Sequence, residues 1–84
     1  EFVAVVPVDD LAGARQVSER LRAAIERADW SATVRMGRGV TVSVGVALVS
    51  ADGRLEDTLR RADQALYHAK ADGRNRVQVS LMAA

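Results

Sequence analysis

Cysteine is absent from this 84-residue chain, and histidine occurs once. Without cysteine the chain has no disulfide framework and no thiolate metal site. A single histidine does not make a histidine-rich metal site. Lysine is almost missing as well, because Lys70 stands alone beside eleven arginines. These absences remove the disulfide-rich and zinc-bound classes of small domain from consideration.

Long apolar runs and a charge excess of one sign are also missing. No run approaches the roughly 20 apolar residues of a membrane span, and no charged-then-apolar export signal opens the chain. Twelve basic and eleven acidic residues leave a net charge of +1, which gives no reason to expect binding to DNA. We therefore expect one small cytoplasmic domain, near the lower size limit for an adequate core.

The pattern of apolar residues predicts an α/β (α+β) domain. Alternation and the 3.6-residue period separate strands from helices, and either Asp9 or Asp10 is suited to cap the first helix. The predicted order is strand, helix, hairpin, helix, strand. In sequence these are a strand at 1–6, a helix at 11–28, a hairpin over 30–49, a helix at 55–72 and a strand at 75–81.

Each of the central elements has one face that is predicted to be buried. In the strand at 40–49 the valines at even positions and Leu48 share one face, which we expect to pack on helices, whereas the small residues opposite let another group approach closely. Charged residues of the first helix lie on its predicted outer side. The inward residues are Leu11, Ala14, Val17, Leu21, Ala24, Ile25 and Ala28, then Leu55, Leu59, Ala62, Leu66 and Ala69; the outward ones are Arg15, Glu19, Arg22 and Glu26.

The most informative stretch is 62–77, ADQALYHAKADGRNRV. The helix brings Lys70 into its last turn, Gly73 is placed to be the left-handed cap residue, and Arg74 follows directly. Two cations at one helix end are able to hold a polyphosphate. The alternative is that Lys70 merely favours the helix dipole and that residues 74–76 form a solvated turn. His68 is expected to face solvent and Tyr67 to lie at the edge of the core.

Three sequence blocks resemble the GGDEF domain, the catalytic domain of diguanylate cyclases. The chain begins with Glu-Phe and an apolar strand, like the end of the Gly-Gly-(Asp/Glu)-Glu-Phe signature. Residues 42–47, VSVGVA, are similar to the family's Ser-x-Gly strand. Residues 62–75 are similar to its long C-terminal motif. The resemblance covers residues 1–84, which correspond to the C-terminal half of a family domain. The fold that it implies is an α/β sandwich related to the ferredoxin-like fold and to the palm of nucleotidyl cyclases.

This resemblance implies an activity and a set of site residues. The family condenses two GTP molecules into cyclic di-GMP, a bacterial second messenger, as a homodimer with Mg²⁺ or Mn²⁺. Glu1 matches a catalytic, metal-binding carboxylate, a suitable ligand type for Mg²⁺; as a sequence feature alone it is equally a surface carboxylate. Lys70 and Arg74 match contacts to the GTP triphosphate. Arg20 matches a position that in some members binds product at an inhibitory site.

The other parts of such a domain would precede residue 1. Because they would carry half of the metal site and the guanine pocket, we expect the isolated chain to be inactive. The resemblance also implies an upstream sensory or regulatory domain, with membrane attachment through upstream segments left open. One alternative is a degenerate GGDEF domain that acts as a GTP- or cyclic di-GMP-responsive regulatory or dimerisation module. A further alternative is a small α/β interaction domain unrelated to nucleotides.

Overall fold

The computed structural model of the protein describes residues 4, 6–29, 39–49 and 53–80. In chain order the elements are helix α1 (Leu11–Arg27), strand β1 (Val44–Val46), helix α2 (Leu55–Ala71) and strand β2 (Val77–Val79). The strands pair in parallel, with Gly45 opposite Gln78. A parallel pair needs a long crossover connection, which α2 supplies. The predicted α/β class is therefore confirmed.

Helix α1 begins where the sequence predicts. The side chain of Asp10 accepts a hydrogen bond from the amide of Gly13 at 2.8 Å, so Asp10 is the capping residue. The buried face of α1 differs from the predicted one. Ala14 is buried, whereas Val17 and Leu21 are 40% and 52% exposed. The prediction that these two large residues face the core is wrong.

Strand β1 is shorter than the predicted strand at 40–49. Ladder pairing covers only Val44–Val46, with flanking bonds from the Val44 amide to the Arg76 carbonyl at 2.9 Å and from the Ser80 amide to the Val46 carbonyl at 2.8 Å. The length of a strand is set by its partner. Since β2 is regular only over Val77–Val79, the pairing of β1 with β2 ends there too.

The close approach expected at the small face of β1 is made by α2. A Cβ placed on Gly45 would overlap the Ala62 carbonyl oxygen and the Leu66 amide nitrogen, and would lie 2.8 Å from the Leu66 Cβ. Only glycine allows the helix backbone to come so near the strand. Helix α2 is thus held against β1 by contact between backbones.

This close approach explains which face of α2 is buried. Ala69 has no exposure and Ala65 has 4%, whereas Leu55 and Leu59 are 53% and 40% exposed. Two of the five predicted inward residues are therefore wrong. The small side chains face the sheet because larger ones would hold the helix away from Gly45. The face is completed by Thr58, which is buried, and by Ala62 and Leu66, which are half-buried.

Helices α1 and α2 each contact both strands. In the described structure no Cα atom of α1 lies within 8 Å of a Cα atom of α2. The predicted strand at 1–6 and the first part of the predicted hairpin lie largely outside the described residues. Within the predicted strand at 1–6, Ala4 and Val6 are described, and neither is in a strand.

No helix in the described part of the chain is long and apolar enough to cross a membrane.

Candidate functional site

The C-terminal end of α2 closes in a Schellman motif. Gly73 has a φ of 121°, its amide donates to the Lys70 carbonyl at 3.5 Å, and the Arg74 amide donates to the Ala69 carbonyl at 2.9 Å. These are the two bonds that define the motif. The prediction that Gly73 is the left-handed cap residue is confirmed. The motif also fixes the backbone positions of Lys70 and Arg74 at the end of the helix.

The two residues after Gly73 also have left-handed backbones. Arg74 has a φ of 63° and Asn75 a φ of 47°. Asparagine tolerates this conformation, but for arginine it costs roughly 1–2 kcal/mol. The Asn75 amide donates to Ser43 Oγ at 3.2 Å, just before β1. Arg74 therefore lies in a strained turn that is held by bonds on both sides.

Four successive backbone amides of this turn, at residues 72–75, are not available to an anion. The amides of Gly73, Arg74 and Asn75 donate to protein acceptors, and that of Asp72 donates to the His68 carbonyl at 2.9 Å. A helix C-terminus also carries the negative end of the helix dipole. A phosphate held beside residues 72–75 therefore depends on cationic side chains, unlike in a glycine-rich phosphate loop.

The two cationic side chains that sequence predicts are exposed and uncommitted. Lys70 and Arg74 are both exposed, and within residues 53–80 and the other described segments neither side chain has a hydrogen-bond or ion-pair partner. Lys70 lies in the last turn of α2. This position also suits the helix-dipole alternative, so the geometry leaves both interpretations of Lys70 standing.

A polar network that sequence reasoning did not find joins this turn to α1. Arg22 Nη1 donates to Asn75 Oδ1 at 2.8 Å, and Asn75 Nδ2 donates to the Glu26 carboxylate. Arg22 also donates through Nε to Glu19 Oε1 at 2.7 Å. The Arg22 side chain is only 16% exposed. Its predicted place on the outer side of α1 is therefore wrong, although its predicted ion pairs with Glu19 and Glu26 are present.

The network sets the charge state of its acidic member. The hydrogen bond from Asn75, and then that from Arg22, lower the pKa of Glu26 below its ordinary value. The bond to Glu19 is the main cause that raises the pKa of Arg22. Both groups are thus ionised at neutral pH, so Glu26 remains an acceptor for the Asn75 amide group.

The remaining predicted site residues lie apart from this turn or are not described. Arg20 is exposed on α1, in a shallow groove that Arg15 and Arg27 also line. In the described structure the Arg20 side chain makes no hydrogen bond or ion pair with Lys70 or Arg74. Glu1 lies outside the described residues. Among those described, no group of three or more His, Asp or Glu side chains could hold a metal ion.

Two aromatic rings flank the candidate site on α2. His68 is exposed as predicted. Tyr67 is 70% exposed, so the prediction that it lies at the edge of the core is wrong. The rings meet edge to face, with centroids 5.8 Å apart. They face away from β1 because the adjacent Ala65 and Ala69 occupy the buried side of the helix.

A βαβ unit whose helix ends in a cationic turn defines a class of α/β domain with a candidate phosphate site. Comparison with known families makes the assignment specific. The sequence model described as "Diguanylate cyclase, GGDEF domain" matches residues 1–76. The chain belongs to the GGDEF domain family of diguanylate cyclases, a family that synthesises cyclic di-GMP.

Curated relatives agree with this assignment. The chain is 41% identical over 81 residues to the response regulator PleD of Caulobacter vibrioides, covering 92% of this chain and 17% of the relative. It is 39% identical over 80 residues to the diguanylate cyclase DgcP of Pseudomonas aeruginosa, covering 95% and 12%. It is 38% identical over 77 residues to the diguanylate cyclase DgcM of Escherichia coli, covering 92% and 18%. The chain thus spans less than a fifth of the length of these relatives.

Proposed function

We propose that this chain is the C-terminal part of a diguanylate cyclase domain, and that the end of α2 binds the triphosphate of GTP. The observation that carries the proposal is the combination of two exposed cations, which have no partner in the described structure, with a turn whose backbone amides at residues 72–75 are bonded within the protein. An anion at this turn would be attracted by its exposed cationic side chains; the proposed contacts are made by Lys70 and Arg74, and Arg76 is a third exposed cation beside them. The sequence similarity to diguanylate cyclases supports GTP as the source of the anion.

In the proposed reaction the 3′-hydroxyl of each GTP attacks the α-phosphate of the other. Each attack forms one phosphodiester bond, releases one pyrophosphate and gives up the hydroxyl proton. Lys70 and Arg74 would hold the β- and γ-phosphates, where negative charge accumulates as pyrophosphate leaves. The planar guanidinium of Arg74 suits two phosphate oxygens at once, and the ammonium of Lys70 acts as a point charge.

Glu1 is the proposed catalytic carboxylate and metal ligand of this chain. A carboxylate is a donor type that fits Mg²⁺ or Mn²⁺. A bound divalent cation would neutralise phosphate charge and help to activate the hydroxyl. The part of the domain that would precede residue 1 is proposed to complete this site.

The proposed assembly is a homodimer, because each domain holds one GTP and the two nucleotides must meet. A regulatory domain upstream is also proposed; the similarity to PleD, a response regulator, supports this. A cytoplasmic location is also proposed, because GTP, the proposed substrate, is a cytoplasmic nucleotide. The alternative is a degenerate domain that binds GTP or cyclic di-GMP for regulation only. Turnover separates the two, since a regulatory module would bind nucleotide without condensing it.

The first prediction concerns product formation. With GTP and Mg²⁺, the complete domain should form cyclic di-GMP, whereas residues 1–84 alone should form none, because the chain lacks the proposed guanine pocket and part of the metal site. Chromatographic separation of the nucleotides measures both. A complete domain that binds GTP without turnover would support the degenerate alternative. Formation of cyclic di-GMP by residues 1–84 would show that the proposed location of the active site is wrong.

The second prediction concerns Arg20. Because Arg20 is exposed on α1 and has no bond to Lys70 or Arg74 in the described structure, we expect it to affect feedback and not chemistry. In a complete, active domain that has an inhibitory product site, Arg20→Ala should raise the inhibition constant for cyclic di-GMP by about tenfold, the loss expected for one charged hydrogen bond, and leave initial rates unchanged. Arg15→Ala is the matched control on the same helix. An unchanged inhibition constant would mean that Arg20 is an ordinary surface residue with no role in feedback.

A further inference from the structure

Asn75 is the point at which α1 reaches the candidate site. The two helices have no Cα pair within 8 Å, yet the side chain of Asn75 bonds to Arg22 and to Glu26 of α1. The residue directly before it is Arg74, the proposed triphosphate ligand. A bond that fixes Asn75 therefore fixes one end of the peptide unit that follows Arg74.

The contact is a closed arrangement of donors and acceptors. Arg22 Nη1 donates both to Asn75 Oδ1 at 2.8 Å and to Glu26 Oε1 at 3.3 Å. Asn75 returns a bond from Nδ2 to the other carboxylate oxygen, Glu26 Oε2. A second acid, Glu19, holds Arg22 through Nε. Each member orients its neighbour, so the side-chain amide of Asn75 has one preferred orientation.

Strain in the turn explains why such a bond matters. Left-handed backbone at Arg74 and at Asn75 costs free energy that the surroundings must supply. On the strand side the backbone amide of Asn75 donates to Ser43. On the helix side the side chain of Asn75 bonds to α1. With the helix-side bonds removed, Ser43 still holds the backbone, and we expect the turn to relax without unfolding the domain.

We propose that Arg22 is a positioning residue: through Asn75 it maintains the left-handed turn and thereby directs Arg74 toward the triphosphate of GTP. This role rests on the proposed function, because it assumes that Arg74 binds phosphate. In this role Arg22 is not itself a nucleotide ligand. Its guanidinium is committed to Glu19, Glu26 and Asn75.

A double-mutant cycle in the complete domain tests this role. The variants are Arg22→Gln, Arg74→Ala and the pair together, with Arg15→Gln as the matched control on α1. The probe is 3′-deoxy-GTP, which lacks the attacking hydroxyl, and calorimetry gives its Kd. We expect Arg22→Gln to weaken binding about threefold to tenfold, the loss expected for one hydrogen bond. In the Arg74→Ala background it should weaken binding less than twofold, because its effect passes through Arg74.

The outcomes are distinguishable. An equal loss from Arg22→Gln in both backgrounds would mean that Arg22 stabilises the fold generally, which overturns the positioning role. No loss from Arg22→Gln, where Arg74→Ala does weaken binding, would overturn it as well. No loss from Arg74→Ala would instead refute the proposed function at Arg74, and the positioning role with it. If Arg22→Gln does not fold, Asn75→Gly breaks the same link while retaining a residue that accepts positive φ.

Discussion

Replacing Gly45 by alanine should lower the free energy of unfolding of the complete domain by about 3 kcal/mol, the upper part of the usual range for an overpacked core. The added Cβ would overlap backbone atoms of Ala62 and Leu66. Backbone atoms cannot rotate aside as a flexible side chain can, so α2 would have to move off β1. Urea unfolding followed by circular dichroism measures the loss.

Gly39→Ala is the matched control for this change. A Cβ at Gly39 would meet nothing within 4 Å, and its surroundings are exposed. We expect the free energy of unfolding to change by no more than about 0.5 kcal/mol, as for ordinary surface substitutions. Equal, small effects of the two substitutions would show that the packing of α2 on Gly45 is looser than described.

Lys70→Ala and Arg74→Ala should each weaken GTP binding by about 1.5–3 kcal/mol, or about 10- to 150-fold in Kd, the range for hydrogen bonds to charged groups. Stability without nucleotide should change little, because both side chains are exposed and have no partner in the described structure. Calorimetric titration with 3′-deoxy-GTP, paired with thermal melting of the free domain, measures both effects.

Arg54→Ala is the control for these two variants, since Arg54 is an exposed cation at the opposite end of α2. It removes the same charge without removing a proposed ligand, so GTP affinity should stay within about twofold of the parent domain. A parent-like affinity for Lys70→Ala alone would favour the helix-dipole role of that residue. Parent-like affinity for both variants would refute the phosphate site.

The features that sequence predicted well are those set by neighbouring residues. The ends of both helices follow from local chemistry: Asp10 caps the first, and Gly73 closes the second with its left-handed backbone. The period of apolar residues was enough to find each helix. For the same reason the sequence alone was enough to place Lys70 and Arg74 together at one helix end.

The features that sequence missed depend on packing between distant segments. The buried face of α2 turns toward Ala65 and Ala69 because Gly45 admits the helix backbone. A helical pattern of leucines cannot reveal which side faces the sheet. The Asn75 network joins residues 53 and 49 positions apart, and an Arg–Glu pair on a helix normally indicates only a surface ion pair. Neither feature has a local signal.

The central claim, that the end of α2 binds the triphosphate, is tested most directly at Lys70. It is the only lysine in residues 1–84, so any acetylated lysine in a peptide from this part of the complete domain is assigned to Lys70 by mass spectrometry. With Mg²⁺ and GTP at tenfold its Kd, the rate of Lys70 acetylation should fall about tenfold, in proportion to the free fraction. Guanosine, which lacks phosphates, should give no such protection. An acetylation rate unchanged by GTP would contradict the account.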